Sequence, residues 1–419
     1  MSSLKIVITQ LIKKILPHFI MRFFLCWMLL VVSLSSCYLV RAFKFRKFKL
    51  TDHERLASQP IRPAAVAYQL KKGTAAPQYD WVRNYLDTSL VGTYTAGFLV
   101  IKNDSIIYER YFDGFSKESL LPSFSVAKSF VSTLVAIAVD EGKIGSVNDP
   151  ITKYLPELLQ TDKNYSRITL QHLLDMRSGL KWNEGSYGLK DDAIKLGFRP
   201  NLLKYALKVK IEKEPGGNFE YQSINTEFLA LAIERATGKK LVSYLQEKLW
   251  DPMGAEFKAT WNVDSKKHKQ EIAFAGLNAT ARDFAKLGRL YLNNGNWEGK
   301  QILQPHWVQA VSNADSMNKA GGYKNQFWSK YHYQFFKDSA EAVAFKNNKR
   351  YATKVSKASG YYRVGYRGNA FHAEGILNQY IYINPDNNVI IVRLGRYWSH
   401  RNFYPDQFIY HVGESLGSY

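Results

Sequence analysis

Leu121-Pro-Ser-Phe-Ser-Val-Ala-Lys-Ser-Phe-Val-Ser-Thr-Leu-Val135 places a hydroxyl at Ser125 and an amine at Lys128, at the start of an apolar helical run. Side chains three residues apart on a helix share a face, with Cβ atoms about 5–6 Å apart, so the amine can reach the serine Oγ. A serine hydroxyl becomes a good nucleophile when a neighbouring base takes its proton. The spacing therefore predicts a nucleophile with its own base.

Two interpretations of this spacing are open. Ser-x-x-Lys matches arise by chance, and on most helices they are an exposed serine and a solvated lysine. Here Lys128 is followed by Ser129-Phe-Val-Ser-Thr-Leu-Val-Ala-Ile-Ala-Val139, an apolar run that favours burial of the amine. Burial lowers the pKa of a lysine, as a base near neutral pH requires. The unpaired N–H groups of the first helical turn would also stabilise an oxyanion formed on attack.

The composition indicates a globular body of one large two-lobed unit or two domains, because the chain has 419 residues, of which 46% are hydrophobic. The formal net charge of +21 comes from 57 basic and 36 acidic residues spread along the chain. No zinc-finger spacing, RNA-binding aromatic motif or Gly-Lys-Thr phosphate loop accompanies this charge, so we expect no nucleic-acid partner. The histidines show no metal-binding spacing, and we expect neither a metal nor a cofactor.

Both cysteines, Cys26 and Cys37, lie in the first forty residues. Met21-Arg-Phe-Phe-Leu-Cys-Trp-Met-Leu-Leu-Val-Val-Ser-Leu-Ser-Ser-Cys37 has the basic start, apolar centre and small terminal residues of a signal peptide. Its last four residues look like a bacterial lipobox, which predicts lipidation of Cys37. The alternative is an uncleaved transmembrane anchor over residues 6–39. Either interpretation makes residues 1–37 a signal or anchor segment and predicts a membrane-anchored, periplasm-facing protein of the bacterial cell envelope.

Residues 38–77 are predicted to be a basic linker with little core, and the globular body spans residues 78–419. Residues 96–102 and 106–112 indicate a β-hairpin around Asn103-Asp104, and 378–385 with 388–395 indicate a second one before a closing helix. Strands near both ends imply one sheet built from the two termini. Between them, residues roughly 130–365 are mostly helical by period, with a long helix over 226–249 broken at Gly238.

A second group of polar side chains lies in Pro215-Gly-Gly-Asn-Phe-Glu-Tyr-Gln-Ser-Ile-Asn-Thr226. Tyr221 and Ser223 are two residues apart and project the same way if the backbone is extended. A phenol next to a lysine ammonium can lose or share its proton, and so deliver one to a leaving amine or alcohol. The plainer interpretation is that Tyr221 is a packing aromatic and that Ser223 or Asn225 caps the following helix.

In their order along the chain, these pieces resemble the serine β-lactamase and penicillin-binding-protein superfamily, in particular its class C-like branch, which includes esterases and nylon-oligomer hydrolases. The resemblance covers most of the chain and implies an α/β fold of the β-lactamase/transpeptidase type, with an antiparallel sheet flanked by helices plus an all-helical lobe. The pieces are Ser125 to Lys128, Leu173-Leu-Asp-Met-Arg-Ser-Gly-Leu-Lys-Trp182, Pro215 to Ser223, Leu277-Asn-Ala-Thr-Ala-Arg-Asp-Phe-Ala-Lys-Leu-Gly288 and Gly375-Ile-Leu-Asn-Gln-Tyr-Ile-Tyr-Ile-Asn-Pro385.

The resemblance also implies the role of each matched side chain. Ser125 matches the acylated serine, Lys128 the base and Tyr221 the tyrosine of the second motif. Ser223 stands where the branch often has serine or asparagine. The Gly-x-Ser-x-Gly match at Gly413-Glu-Ser-Leu-Gly417 follows the predicted closing helix and not a strand, so it does not have the context of a nucleophile elbow, which argues against the alternative of a Ser-His-Asp hydrolase.

The third motif of the family departs from its usual pattern in this chain. β-Lactamases have a Lys-Thr-Gly strand there, whereas this chain has Phe371-His-Ala-Glu-Gly375, so the cation that would hold a substrate carboxylate is missing or replaced by His372. A lone histidine in a strand is more often a packed residue. Asn378 stands where the branch usually has glycine. The oxyanion hole is expected from the N–H of Ser125 and one near Gly375 and Ile376.

The expected function is a membrane-tethered serine hydrolase, an esterase or amidase that acts through an acyl-enzyme. Its expected substrate is a small-molecule or peptide-like ester or amide, and no obligate protein partner is evident. Because of the altered third motif, a D,D-carboxypeptidase or a weak β-lactamase is the alternative within the same chemistry. An alternative of another class is a catalytically silent protein that binds envelope ligands.

Overall fold

The helices and strands come from a computed structural model, which describes residues 38–418 except 46, 74–75, 314–321, 350, 359 and 398–403. The predicted signal or anchor segment, with Cys26 and Cys37, lies outside the described residues. The helices are α1 Tyr38–Lys44, α2 Asp80–Ser89, α3 Ala127–Asp140, α4 Leu170–Leu174, α5 Asp192–Phe198, α6 Leu202–Ala206, α7 Ser223–Thr237, α8 Leu241–Leu245, α9 Ala281–Leu292, α10 Pro305–Ser312, α11 Ser339–Asn347 and α12 Pro405–Ser415. Within the described part of the chain, no helix has the length and apolar character needed to cross a membrane.

The strands begin upstream of the predicted body and continue almost to its end. They are β1 Ser58–Ile61, β2 Lys71–Lys72, β3 Thr95–Lys102, β4 Ser105–Tyr111, β5 Leu121–Pro122, β6 Ala259–Asn262, β7 Leu277–Ala279, β8 Asn296–Trp297, β9 Lys300–Gln301, β10 Gly322–Lys324, β11 Phe327–Ser329, β12 His332–Phe336, β13 Tyr351–Ala352, β14 Ser356–Ala358, β15 Tyr361–Arg367, β16 Phe371–Gly375, β17 Gln379–Asn384 and β18 Val389–Gly395.

Strands from both ends of the body form one sheet, as the sequence predicted. Its order is β10-β11-β16-β17-β18-β3-β4-β2, and every neighbouring pair is antiparallel except β2 with β4. The hairpin of β3 and β4 turns at Asn103 and Asp104, whose φ angles of 50° and 61° are those of a type I′ turn. Successive side chains of β3 alternate between two cores, so both faces of this central strand are buried.

Helices cover the two faces of the sheet. On one face, α2 and α12 contribute Val82, Leu86, Phe408 and Val412 to a core shared with the central strands. On the other face lie the larger core and the helix α9, which packs against β17 and β18. The predicted helical lobe over 130–365 is therefore too broad, since α9 belongs to the sheet lobe. An amphipathic helix looks the same in sequence whether its apolar face meets a sheet or another helix.

The helical lobe is built around α3, which packs along α7. The break predicted at Gly238 in the stretch 226–249 is confirmed. The helix α7 ends at Thr237, and Gly238 takes a φ of 69° and closes it. The start of α7 corrects the expectation that Asn225 caps this helix. The helix begins at Ser223, so Asn225 lies inside it. Asn225 is buried and accepts a hydrogen bond from Ser178 Oγ at 2.7 Å.

The predicted linker over residues 38–77 instead contributes to the body. Leu50, Ile61 and Leu70 are buried in the main core, β1 pairs with β6, and α1 packs against α5. The expectation of little core was wrong because the apolar residues here are irregularly spaced among basic ones. Such a segment has no hydrophobic period of its own, and its burial depends on the surface that it meets.

Candidate active site

Ser125 lies in a 3₁₀ turn, Phe124–Val126, that leads directly into α3. The turn is strained, since Phe124 has a φ of 45°, a left-handed conformation that bulky side chains rarely adopt. The helix brings Lys128 back over the turn, and its Nζ lies 2.9 Å from Ser125 Oγ. The structure thus places the predicted nucleophile and base within proton-transfer distance.

Lys128 is enclosed on every side, with only 1% of its surface exposed. Its Nζ donates a hydrogen bond to the carbonyl oxygen of Phe274 at 3.1 Å and lies 4.9 Å from the ring centre of Tyr221. Burial lowers the pKa of Lys128 from 10.5 to about 8, although the negative charge of Glu184 opposes this effect. About one tenth of the amine is then neutral at pH 7, which is the form that can accept the serine proton.

Tyr221 is held between two aromatic side chains next to the nucleophile. Its ring stacks on Trp328 at 5.6 Å and meets Tyr323 edge-on at 5.8 Å. Burial and the charge of Glu184 raise the pKa of Tyr221 well above 10, and a hydrogen bond with Ser125 lowers it only in part. The phenol therefore keeps its proton near neutral pH and can act as a proton donor rather than as a base.

Ser223 lines the same cavity, but its polar groups are bound to Glu184. Glu184 Oε2 accepts from the Ser223 N–H at 2.6 Å and from Trp182 Nε1 at 2.7 Å, and Oε1 accepts from Ser223 Oγ at 2.7 Å. The sequence analysis missed Glu184. Glu184 follows the motif Leu173–Trp182 by two residues, and this position was a signal that could have identified it as a site residue.

The backbone at the end of β16 lies against the nucleophile turn. A Cβ on Gly375 would stand 2.4 Å from the carbonyl oxygen of Ser123 and 3.1 Å from the N of Ser125, so this approach requires glycine. Gly375 and Ile376 both line the cavity, on the side where the oxyanion hole was predicted. Asn378 has a φ of 65°, and asparagine is among the few residues that tolerate it, which explains how it stands in for glycine.

Hydrogen bonds from Arg393, which the sequence analysis also missed, stabilise the turn after Gly375. Arg393 is fully buried, and its Nη1 donates to the carbonyl oxygens of Leu377 at 3.0 Å and Asn378 at 2.7 Å. Gln379 Nε2 donates to the same Leu377 oxygen at 3.1 Å. These bonds fix the backbone that faces the nucleophile.

His372 does not reach the cavity, which corrects its predicted place among the substrate-binding side chains. The side chain is fully buried, with Nδ1 3.1 Å from Tyr410 Oη and Nε2 3.3 Å from Glu374 Oε2. It shares a face of β16 with Glu374, and it is enclosed between Glu374, which lines the cavity, and Tyr410 of α12. Burial lowers its pKa, so His372 is neutral near neutral pH.

A carboxylate, Glu374, lines the cavity beside the position of the third motif. Its Oε2 lies 2.6 Å from Lys330 Nζ, on the segment after β11. Burial would raise the pKa of Glu374, but the hydrogen bond from His372 and the charge of Lys330 hold it at about 2. In place of the Lys-Thr-Gly strand of a β-lactamase, this chain thus has a strand whose carboxylate, Glu374, is paired with a lysine from another element.

A cavity of about 710 Å³ opens in front of Ser125. Its lining is mostly apolar, and Lys49 is the one lysine or arginine among the described residues that line it. Within the described chain, no group of three His, Cys, Asp or Glu side chains is placed to hold a metal ion. The lining residues are Phe45, Phe48, Lys49, Asp52, His53, Leu56, Pro122, Phe124, Ser125, Glu184, Tyr187, Ala193, Ile194, Gly197, Phe198, Tyr221, Ser223, Asn262, Ile272, Phe274, Ala275, Gly276, Asn278, Trp328, Glu374, Gly375, Ile376, Leu377 and Asn378.

A model of the beta-lactamase family matches residues 82–400, which include Ser125, Lys128, Tyr221 and Gly375. The chain belongs to this family. As a beta-lactamase-family member it is related to serine hydrolases with several activities. The 6-aminohexanoate-dimer hydrolase of Paenarthrobacter ureafaciens is 30% identical over 264 residues, which are 58% of this chain and 66% of that protein.

Another relative of this beta-lactamase-family chain is named as a peptidase, and a solved structure shares its fold. The D-alanyl-D-alanine-carboxypeptidase/endopeptidase AmpH of Escherichia coli K12 is 22% identical over 57% of this chain and 65% of AmpH. The match thus covers just under two thirds of the length of each of these two relatives. A Bacillus anthracis structure with the provisional name 6-aminohexanoate-dimer hydrolase superposes with a TM-score of 0.66 and 23% identity, over 89% of this chain and 92% of that one.

Proposed function

We propose that this chain hydrolyses esters or linear amides through an acyl-enzyme on Ser125. The observation that carries the proposal is the 2.9 Å distance between Lys128 Nζ and Ser125 Oγ, together with the burial that lowers the pKa of Lys128 to about 8. A neutral amine at this distance is a competent base for the serine proton. A lysine with that pKa has no evident structural purpose, because a buried ammonium destabilises the fold.

The proposed reaction begins when Lys128 Nζ takes the proton of Ser125 and the serine oxygen bonds to the substrate carbonyl carbon. The negative charge that develops on the carbonyl oxygen is held by the backbone N–H groups of Ser125 and Ile376. Tyr221, whose phenol keeps its proton, donates it to the departing oxygen or nitrogen as the bond to the carbonyl carbon breaks. Water then attacks the acyl carbonyl carbon and gives a proton to the Tyr221 phenolate. As the bond between that carbon and Ser125 Oγ breaks, Lys128 returns its proton to the serine oxygen, which releases the carboxylic acid and restores the resting enzyme.

The charge of the cavity favours substrates without a carboxylate near the reacting carbonyl. Glu184 and Glu374 line the cavity whereas Lys330, the partner of Glu374, does not, so a substrate carboxylate would meet carboxylates rather than a cation on that side. Penicillins and D-alanyl-D-alanine peptides both carry such a carboxylate. We therefore rank esters and linear amides as the first substrate class. A carboxypeptidase or weak β-lactamase activity ranks second, and the relationship to AmpH supports this second candidate.

The test is labelling of the whole protein with a fluorophosphonate probe, followed by peptide mass spectrometry. We expect an adduct on the peptide that contains Ser125, and loss of the adduct and of p-nitrophenyl acetate hydrolysis in Ser125→Ala. The matched control is Ser129→Ala, one turn along α3, whose Oγ donates to the carbonyl oxygen of Gln326 at 2.8 Å. Absence of an adduct at any probe concentration would contradict the proposal and favour the silent binding protein. Nitrocefin and D-alanyl-D-alanine peptides then rank the substrate classes.

We also propose that the protein is tethered to the bacterial envelope through Cys37. The support is the sequence of residues 21–37, which has the order of a signal peptide with a lipobox. We expect incorporation of labelled palmitate and recovery in the membrane fraction, both lost in Cys37→Ser. Membrane recovery that persists without palmitate labelling would favour the uncleaved anchor, and recovery in the soluble fraction would contradict both.

A further inference from the structure

One wall of the catalytic cavity comes from a part of the chain that the family match does not include. Phe45, Phe48 and Leu56 line the cavity, and all three precede residue 82, where the match to the family model begins. The shared fold supplies the nucleophile, base and oxyanion side of the cavity. The N-terminal wall, defined as residues 45 and 47–56, lies outside the family-model match and lines the same cavity.

Aromatic contacts hold the N-terminal wall in place. Phe45 stacks on Phe198 of α5 at 5.3 Å, and the two are buried in a small core with Ala42 and Ile194. Phe48 lies edge-on to Phe124, the residue before the nucleophile, at 6.0 Å, and its ring centre is 6.4 Å from that of Tyr187. The wall is thus packed both against the helical lobe and against the nucleophile turn.

Two ionisable side chains of this wall that line the cavity, Asp52 and His53, already have partners within it. Asp52 accepts from the N–H of Lys49 at 2.9 Å and from Arg55 at 3.1 Å. Burial lowers the pKa of His53, and its Nδ1 lies 2.7 Å from the carbonyl oxygen of Leu50. The space between the wall and α5 is therefore lined by aromatic and aliphatic carbon, which binds uncharged apolar groups.

We propose that the N-terminal wall and α5 form an acyl-chain pocket, so that the protein selects esters or amides with a medium-length apolar acyl group. This inference rests on the proposed acyl-enzyme function, since the pocket acts on the group that Ser125 would carry. A cavity of about 710 Å³ has room for such a chain beside the reacting carbonyl. Each methylene that leaves water for the pocket is expected to raise kcat/KM about fourfold until the pocket is full.

The decisive variant fills the pocket without removing any contact. Gly197 on α5 lines the cavity, and a Cβ there would meet only the tip of the Phe274 ring, at 3.5 Å. In Gly197→Leu we expect p-nitrophenyl octanoate to lose at least tenfold in kcat/KM, while p-nitrophenyl acetate stays within about twofold. Wild type should rise along the series acetate, butyrate, hexanoate and octanoate, and Gly197→Leu should not.

A second variant opens the wall. Phe48→Ala should lose about tenfold in kcat/KM for octanoate relative to acetate, since burial of an aromatic side chain against the chain contributes about that much. The matched control is Phe43→Ala, which removes an exposed phenylalanine of the preceding helix α1 that does not line the cavity and should leave the ratio unchanged. If Gly197→Leu and Phe48→Ala both keep the wild-type octanoate to acetate ratio, the pocket proposal is overturned while acetate turnover still supports the proposed function. If Ser125→Ala still hydrolyses both the acetate and the octanoate ester, the proposed function itself is overturned.

Discussion

Lys128→Met tests the physical state of the base through the stability of the fold. The buried amine has a pKa of about 8 in the folded protein and an ordinary value of 10.5 when exposed, a difference of about 3 kcal/mol in the free energy of unfolding. Because the folded pKa is the lower one, the folded state resists protonation. The destabilisation is complete below pH 8 and disappears as the pH rises toward 10.5.

Methionine replaces the amine with an apolar group of similar length. It relieves the destabilisation at pH 7 but loses the hydrogen bond to the carbonyl oxygen of Phe274, which contributes about 1 kcal/mol. We therefore expect Lys128→Met to be more stable than wild type by about 2 kcal/mol at pH 7, with the advantage gone near pH 10, while esterase activity is abolished. Urea unfolding at both pH values measures the difference.

Lys286→Met is the matched control, since Lys286 is equally buried but lies 3.0 Å from Asp283. Removal of one partner of a buried ion pair leaves the other uncompensated, so this variant should lose about 3 kcal/mol at pH 7. A Lys128→Met protein that is no more stable than wild type at pH 7, or whose advantage does not shrink as the pH rises, would refute the argument that Lys128 is held in an unfavourable charged state.

Three further changes probe the neighbours of the base. Glu184→Gln removes the negative charge that raises the pKa of Lys128, so the midpoint of the pH dependence of kcat/KM should move to lower pH; an unchanged midpoint would show that the carboxylate does not act on the amine. Tyr221→Phe should lower kcat about 10²-fold or more for an anilide but little for a p-nitrophenyl ester, whose leaving group needs no proton; equal losses on both substrates would contradict the role of the phenol. Gly375→Ala places a Cβ 2.4 Å from the carbonyl oxygen of Ser123, so kcat should fall about 10²-fold with little change in the melting temperature; full activity would place the oxyanion hole elsewhere.

The parts of the fold and site that the sequence predicted depend on local spacing. Ser125 and Lys128 meet because residues three apart on one helix must lie close together, whatever surrounds them. The hairpin at Asn103 and Asp104 follows from two residues that tolerate positive φ. The single sheet formed by both ends of the body follows from the strand patterns near both ends of the chain.

The parts that could not be predicted depend on contacts between distant segments. Phe48 contacts Tyr187, which is more than a hundred residues away in the sequence. The basic segment around Phe48 has no hydrophobic period that would predict this contact. The sequence shows that His372 is on a strand but not that Glu374 and Tyr410 enclose its side chain away from the cavity. Arg393 has an apolar strand context that predicts burial, while its partners at Leu377 become visible only in three dimensions.

The pH dependence of kcat/KM for a p-nitrophenyl ester measures the central claim, that a neutral Lys128 activates Ser125. The account predicts that kcat/KM rises about tenfold for each pH unit below pH 8 and levels off above it, with an apparent pKa of about 8. A profile that is flat between pH 6 and 9, or one that levels off near 6.5 as for an ordinary histidine, would contradict it.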